Sequence, residues 1–277
     1  MTRIAATFAT ALAALVMPAA AGATAHTETA TLGQVSARLT YGEAGGEFSN
    51  MRLAIFRASA PLLDYAVGAP CLQICIAQPG GAGARRSIEV RQLGADAEPD
   101  VILDVNTGGA HCCDWAYVYS YVPARNRYSL AQHDFGDLGY RLVRLGRRHP
   151  FGFLGFDYRF AYAFTDYADS AFPPQLFRYS NGVFVDETRR HPDTIRADAR
   201  RLLRKYRRNR GRRDVRGILA AYAADQYLLG RGRAGLRKVN AALRRPDVQR
   251  LEASGWPSGR NYVRALRKYL RIWGYIR

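Results

Sequence analysis

The sequence lacks the short motifs that mark the best-known hydrolases, metalloproteases and nucleotide-binding enzymes. It contains no Gly-x-Ser-x-Gly, no His-Glu-x-x-His and no glycine-rich loop followed by Lys-Ser/Thr. It also has no pair of carboxylates in a recognisable catalytic context. These absences remove the enzyme classes that are easiest to identify, so most of the inference has to come from how the chain is organised.

A second long apolar segment is also missing. The one such run, residues 4–16, follows a basic start and precedes a stretch of small residues. This is the layout of a signal peptide, and the run is too short to span a bilayer. We therefore assign residues 1–25 to a signal peptide, cleaved between Gly22 and His26, rather than to a buried helix. The mature protein is expected to be extracytoplasmic, either secreted or periplasmic, with no transmembrane segment.

Cysteine is scarce, and the four residues present are Cys71, Cys75, Cys112 and Cys113. In an exported chain such cysteines are usually bridged. A ring between the adjacent Cys112 and Cys113 is strained, so we expect both to be joined to Cys71 and Cys75. A zinc site and a catalytic thiolate remain as alternatives, although the spacing is not that of a standard zinc finger.

Charge divides the chain into two parts. Residues 1–188 carry 15 basic and 17 acidic side chains, whereas residues 189–277 carry 26 and 6. Only three of those 26 are lysines. We therefore expect a near-neutral domain over residues 26–188, followed by an arginine-rich domain over residues 189–277.

The neutral part has the pattern of β-structure. Large side chains alternate with small ones over residues 115–121, which predicts a strand, and residues 127–130 begin the return strand. Residues 158–164 alternate in the same way and predict a second aromatic strand. Asn181-Gly182 between apolar runs predicts a tight hairpin.

These patterns define two blade-like repeats, at about residues 87–137 and 139–188, with residues 33–68 as a partial third unit. A period near 50 residues with several strands per unit is typical of propeller blades. So few units cannot close a propeller, and an open or sandwich-like domain is expected. The predicted fold class is α+β and β-rich, with a blade-like antiparallel β-meander domain followed by a small basic helical domain.

The segment Gln92 to Asp100 resembles a degenerate repeat of the FG-GAP or VCBS type found in integrin-like propellers. Those repeats bind calcium through an acidic loop, and only Asp96 and Asp100 of its ligands remain here, with Gln92 and Gly94 in place of two others. Because Ca²⁺ takes six to eight oxygen ligands, we expect no calcium and no other cofactor.

The chain is also similar to a group of uncharacterised secreted bacterial proteins. That resemblance lies in the segment Thr107-Gly-Gly-Ala-His-Cys-Cys113, in residues 157–170 and in residues 186–195. It implies export and a β-rich core, and it implies no established activity.

The basic part has helical periodicity, with Asp193 and Asp214 as candidate helix caps. Its densest cationic run predicts a surface for polyanions such as acidic envelope polymers, by release of counterions. The alternative is a charged surface that is solvated and binds no polymer. Sequence-specific recognition of DNA is not expected. The oligomeric state stays open. The candidate contacts are Arg200, Arg201, Arg204, Lys205, Arg207, Arg208, Arg212 and Arg213.

The loop motif formed by Thr107, Gly108, Gly109 and His111 has two interpretations. His111 can be fixed by hydrogen bonds of the loop, or it can act as a catalytic base with Asp104 or Asp114 in a hydrolase of envelope polymers. Asp157 and Arg159 are expected to form a structural ion pair at the start of a strand. We favour a disulfide-stabilised binding or scaffold protein over the hydrolase.

The predicted bridges can be tested by thiol labelling. We expect the exported native protein to react with no alkylating reagent until it is reduced and denatured, because all four sulfurs are oxidised. Mass spectrometry of the alkylated protein measures this. Four labelled cysteines in the native protein would contradict the bridges and favour the metal or thiolate alternatives.

Overall fold

Antiparallel sheets occupy the first two thirds of the chain, and helices follow. A computed structural model describes residues 23–70, 76–81, 86–94, 98–109, 111, 113–146, 151–251 and 255–277. Residues 1–22 of the expected signal peptide, three of the cysteines (Cys71, Cys75 and Cys112) and Asp96 lie outside these ranges. The bridges therefore stay a prediction.

Sheet A is a four-stranded meander. It consists of β1 (Thr24–Leu32), β2 (Val35–Ala44), β3 (Glu47–Arg57) and β4 (Ala60–Ala66), in that order across the sheet. The strands alternate buried and exposed positions, as in a sheet with one face covered. Residues 33–68 were expected to form a partial third blade-like unit, and they belong to this complete four-stranded sheet.

Sheet B begins with the short strands β5 (Gln78–Pro79) and β6 (Ile88–Arg91), which both pair with β7 (Asp100–Asn106). β8 (Asp114–Val122) and β9 (Arg127–Asp134) complete it. The predicted aromatic strand is confirmed as β8, and the return strand as β9. Sheet C repeats the meander with β10 (Arg141–Arg144), β11 (Phe151–Phe156), β12 (Pro174–Ser180) and β13 (Val183–Asp186).

Sheet B is the middle layer, covered on both faces. Tyr117 and Tyr119 of β8 pack with sheet A, whereas Ala116 and Val118 pack with Phe177 and other aromatic residues of sheet C. Successive residues of a strand point to opposite faces, so one strand contributes to both cores. The alternation of large and small side chains in β8 therefore reflects two different packing partners.

One strand prediction is wrong. Residues 158–164 form no strand, since Tyr158–Phe160 is a 3-10 turn and the following residues are turns. The counterpart of β8 in sheet C is β12, which the Asn181-Gly182 turn joins to β13 as predicted. Residues 157–173 are consequently a long connection between β11 and β12. The structure is α+β with three antiparallel sheets, which agrees with the expected fold class at that level.

The described residues contain five α-helices: α1 (Pro192–Asn209), α2 (Arg216–Leu228), α3 (Gly232–Leu243), α4 (Pro246–Gln249) and α5 (Gly259–Ile272). The helical periodicity predicted for the basic part is confirmed, and the apolar residues Leu202, Leu219 and Leu266 of different helices are buried together. Asp193 is not the N-cap of α1, because His191 occupies that position and Asp193 pairs with Arg196 instead. No helix in the described ranges is long and apolar enough to cross a membrane.

A buried ion pair joins the helices to the long connection. Arg216 is fully buried and binds Asp214, with its Nη2 2.6 Å from Asp214 Oδ2. Its Nη1 donates to the carbonyl oxygens of Trp256 and Pro257, at 3.2 and 2.8 Å. Thr165 Oγ1 of the connection donates to the same Asp214. Three chain segments thus share one charged centre.

We predict that Arg216→Met lowers the free energy of unfolding by about 3–5 kcal/mol, because Asp214 would remain buried without its charge partner. Guanidinium denaturation followed by circular dichroism measures the change. Arg200→Met, which changes an exposed arginine of α1, is the matched control and should shift stability by less than about 0.5 kcal/mol. Equal stability of the two variants would show that the pair is dispensable.

Candidate functional site

The connection between β7 and β8 begins with a tight turn. Thr107 is buried; its N–H donates to the carbonyl of Cys113 at 3.1 Å and its Oγ1 accepts from the Cys113 N–H at 3.1 Å. Gly108 has φ +73°, and a Cβ there would lie 2.8 Å from the Ile76 side chain. Gly109 also has positive φ. The glycines are therefore required by the backbone path and by close packing.

His111 follows this turn and lies against a carboxylate from another loop. Its Nδ1 is 3.5 Å from Oδ2 of Asp137, and the Tyr167 hydroxyl donates to the same oxygen. The rings of His111 and Tyr167 are 3.7 Å apart between centroids. The His111 side chain is 42% exposed. Asp137 and Tyr167 thus both contact the His111 side chain, which remains accessible to solvent.

The second loop, residues 157–173, is fixed at its start by a buried carboxylate. Asp157 is 1% exposed and accepts from Arg159 at 2.6 Å and from the Tyr275 hydroxyl at 2.7 Å. Arg159 lies over the Trp273 ring, 4.4 Å from its centroid. The expected ion pair is present, but it lies after the end of β11 rather than at the start of a strand.

The two loops meet through their aromatic residues. The Tyr158 hydroxyl donates to the carbonyl oxygen of His111 at 2.7 Å. The Tyr162 ring lies 6.3 Å from that of His111 and 5.6 Å from that of Tyr167. We call His111, Tyr162 and Tyr167 the aromatic platform. The structure therefore brings together the two segments that the sequence marks as distinctive.

The carboxylates predicted to assist His111 lie elsewhere. Asp104 is half-buried in sheet B, where the Tyr140 hydroxyl donates to it at 2.6 Å and desolvation raises its pKa to about 7. Asp114 is buried and accepts from Asn106 Nδ2 at 2.6 Å. The ion partner of His111 is Asp137. Asp104 and Asp114 are therefore engaged in hydrogen bonds that stabilise the fold.

Two cavities adjoin the second loop. One, of about 430 Å³, is lined by His133 and Tyr158, and the other, of about 540 Å³, lies between sheet C and the chain end near Tyr275. Both share Arg159 and Asp186 in their walls. Burial lowers the pKa of His133, which favours its neutral form. Both cavities are therefore lined by a positive side chain, Arg159, and a negative one, Asp186.

The described residues hold no group of three or more His, Cys, Asp or Glu side chains able to bind a metal ion. Asp100, a candidate ligand, is buried and accepts from the Leu93 N–H and from Ser120 Oγ. Its oxygens thus take part in the packing of sheet B.

The candidate cations of the arginine-rich run divide into those engaged by groups of the fold and those with no ion pair among the described residues. Arg201 pairs with Asp198 and Arg213 with Asp169, at 2.7 and 2.6 Å. Lys205 donates to the carbonyl of Ser170 at 3.4 Å, and burial lowers its pKa. The remaining candidates are exposed: Arg200, Arg204, Arg207, Arg208 and Arg212.

A second row of cations follows one side of α5 around a cavity of about 500 Å³. Its members are all exposed and recur every three to four residues apart from the adjacent Arg267 and Lys268: Arg260, Arg264, Arg267, Lys268 and Arg271. The described carboxylates form no ion pair with them. Between α1 and α3, a cavity of about 350 Å³ has an apolar floor and a rim that includes Arg207, Arg210 and Lys238.

Sequence reasoning missed Asp137, Tyr162 and Tyr167 as parts of a site. Asp137 lies in a turn far along the chain from His111, and no spacing rule connects them. Both tyrosines lie in the segment 157–170, but the aromatic residues of 158–164, which include Tyr162, have a period of two that indicated a strand. The turn-forming residues Asp166 and Asp169 were the signal that could have corrected this.

The fold and the site define an α+β protein with an exposed aromatic cluster beside a cationic helical unit. Comparison with known proteins finds similarity at this helical end, where the family described as sll0997 C-terminal domain matches residues 195–274. The probable thylakoid lumen protein sll0997 of Synechocystis sp. is 28% identical over 150 residues. That match covers 48% of this chain and 40% of the relative, so the chain spans well under half the relative's length. No solved structure matches.

The raised pKa of Asp104 predicts a pH dependence of stability. The folded state keeps a proton up to about pH 7, whereas the unfolded chain loses it near the ordinary value of 3.8. The contribution of Asp104 to stability is thus complete below that ordinary value and is lost as the pH rises to about 7.

We predict that Asp104→Asn, which stays neutral, reduces the loss of stability between pH 4 and pH 7 by on the order of 4 kcal/mol. Urea unfolding at several pH values measures it. Asp193→Asn, at a carboxylate that is 95% exposed, is the matched control and should keep the parent's dependence. An unchanged pH slope in Asp104→Asn would contradict the assignment.

Proposed function

We propose that the protein acts outside the cytoplasm as a non-catalytic binding protein, and that its arginine-rich helices hold an acidic envelope polymer. The observation that carries this proposal is the arrangement of exposed cations on α1 and α5. Nine of these exposed cations lie on the two helices and Arg212 follows the end of α1, while the sheets carry mixed charge. The proposed location is supported by the N-terminal pattern and by the similarity to a probable thylakoid lumen protein.

Ion pairs within the fold limit which arginines are available to bind a polymer. Arg201 and Arg213 are neutralised by carboxylates of the fold, so they contribute little to attraction of a polymer. Arg204, Arg207, Arg208 and their exposed neighbours keep their charge available. Arginine presents a planar set of donors that matches carboxylate and phosphate groups. Clustered charge of one sign also raises the local concentration of a polyanion.

We predict that replacing Arg204, Arg207, Arg208 and Arg212 with Gln lowers affinity for polygalacturonate. The plot of log affinity against log salt should become shallower, by up to about four units of slope, because fewer counterions are released. Titration by fluorescence anisotropy over a range of salt concentrations measures both quantities. Circular dichroism should show an unchanged fold, since the four side chains are exposed.

A matched control removes the same charge from the sheets. Replacing Arg86, Arg125, Arg127 and Arg141 with Gln changes four exposed arginines of the β-part. This control should keep the parent's slope. If both quadruple variants reduce the slope equally, net charge rather than the helical face governs binding. If neither changes it, the face is merely solvated and the proposal fails.

A further inference from the structure

Two residues of the aromatic platform are held in an unfavourable backbone conformation. His111 has φ +61° and Tyr162 has φ +56°, in the left-handed region that favours glycine. Such positions persist only where surrounding contacts impose them, and they concentrate at functional sites. Both side chains are exposed, Tyr162 by 51% and His111 by 42%. Strain that presents exposed rings to solvent needs an explanation beyond packing.

Specific hydrogen bonds hold Tyr162 in place. Its N–H donates to Ser170 Oγ at 3.2 Å, and Trp256 Nε1 donates to its carbonyl at 3.0 Å. These bonds use the backbone of Tyr162 and leave its ring outward. The residues that fix it come from the connection and from the segment before α5. The ring position is therefore set by the same segments that surround Arg216.

The platform combines stacking faces with hydrogen-bonding groups. The exposed ring of Tyr162 presents an apolar face with a hydroxyl at its edge, and the rings of His111 and Tyr167 pack beside it. Asp137 lies beside His111 and provides carboxylate oxygens. A pyranose ring has an apolar C–H face and hydroxyl donors, which fit this combination. A DNA strand fits less well, because its backbone has no hydroxyl donors for the carboxylate oxygens of Asp137.

The platform is also joined to the cationic helix. Ser170, which binds the Tyr162 N–H, offers its carbonyl oxygen to Lys205 at 3.4 Å. The neighbouring Asp169 pairs with Arg213 at 2.6 Å. One short turn therefore connects the exposed rings to the C-terminal end of α1. A polymer lying on α1 could reach the platform without crossing the sheets.

We propose that His111, Tyr162 and Tyr167 form a stacking subsite for a pyranose ring of an acidic polysaccharide, whose charged groups bind the exposed arginines of α1. This inference rests on the proposed function and narrows its ligand to a carbohydrate. Asp137 positions His111 and Tyr167 and accepts from sugar hydroxyls. The subsite confers selectivity for a sugar backbone, whereas the arginines recognise charge alone.

The test compares a sugar polyanion with one that has no rings. The probes are polygalacturonate and inorganic polyphosphate, and the variant is Tyr162→Gly, which suits the positive φ and removes the ring. We expect a loss of about 3- to 10-fold in affinity for polygalacturonate and no change for polyphosphate. Tyr162→Phe keeps the ring and should bind as the parent does. Leu130→Ala, at another exposed apolar residue, is the matched control.

The other outcomes overturn the subsite. Unchanged polygalacturonate affinity in Tyr162→Gly, or no binding of polygalacturonate by the parent, shows that the rings do not contact sugar. An equal loss on both polymers shows that Tyr162 merely supports α1. A larger loss on an oligodeoxythymidylate probe assigns the platform to nucleic acid. The quadruple arginine variant judges the proposed function separately, because it should weaken both polyanions while Tyr162→Gly weakens one.

Discussion

The buried pair of Arg216 and Asp214 is the interaction on which the arrangement of the candidate site depends. Arginine can satisfy several acceptors in one plane, and here it joins Asp214 to two carbonyls before α5. Thr165 ties the long connection to the same centre. Trp256, whose carbonyl accepts from Arg216, in turn fixes Tyr162. The position of an exposed ring is thus determined by a charge that is fully removed from water.

The meeting of the two loops follows from the layering of the sheets. Sheets B and C repeat the same meander and pack face to face, so their corresponding connections emerge at neighbouring positions. One connection, after β7, carries His111, and the other, after β11, carries Tyr158 and Tyr162. Asp157 anchors the second connection to Tyr275 near the chain end. The site therefore forms where two repeated meanders pack together, because each meander contributes a different loop.

Much of the fold could be predicted from the sequence, because burial imposes a period on the side chains. β8 and the helical periodicity of the basic part were predicted correctly for this reason. Residues 158–164 show the limit, since their alternating aromatics serve separate contacts in turns: Phe160 enters the helical core while Tyr162 is exposed. The pairing of His111 with Asp137 depends on the packing of two sheets, and no local pattern encodes it.

The abundance of arginine has two physical causes, and only one concerns a ligand. Arg216 is buried, and Arg189 donates to carbonyls near the ends of α2 and α5, including those of Tyr227 and Tyr275. Groups near a helix C-terminus favour a cation, so Arg189 stabilises the helical unit itself, and Arg216 does so through its buried pair with Asp214. Net charge therefore overstates the surface available to a polymer. The exposed rows on α1 and α5, together with exposed cations of α3 such as Arg233 and Arg237, belong to the part of the excess that folding does not account for.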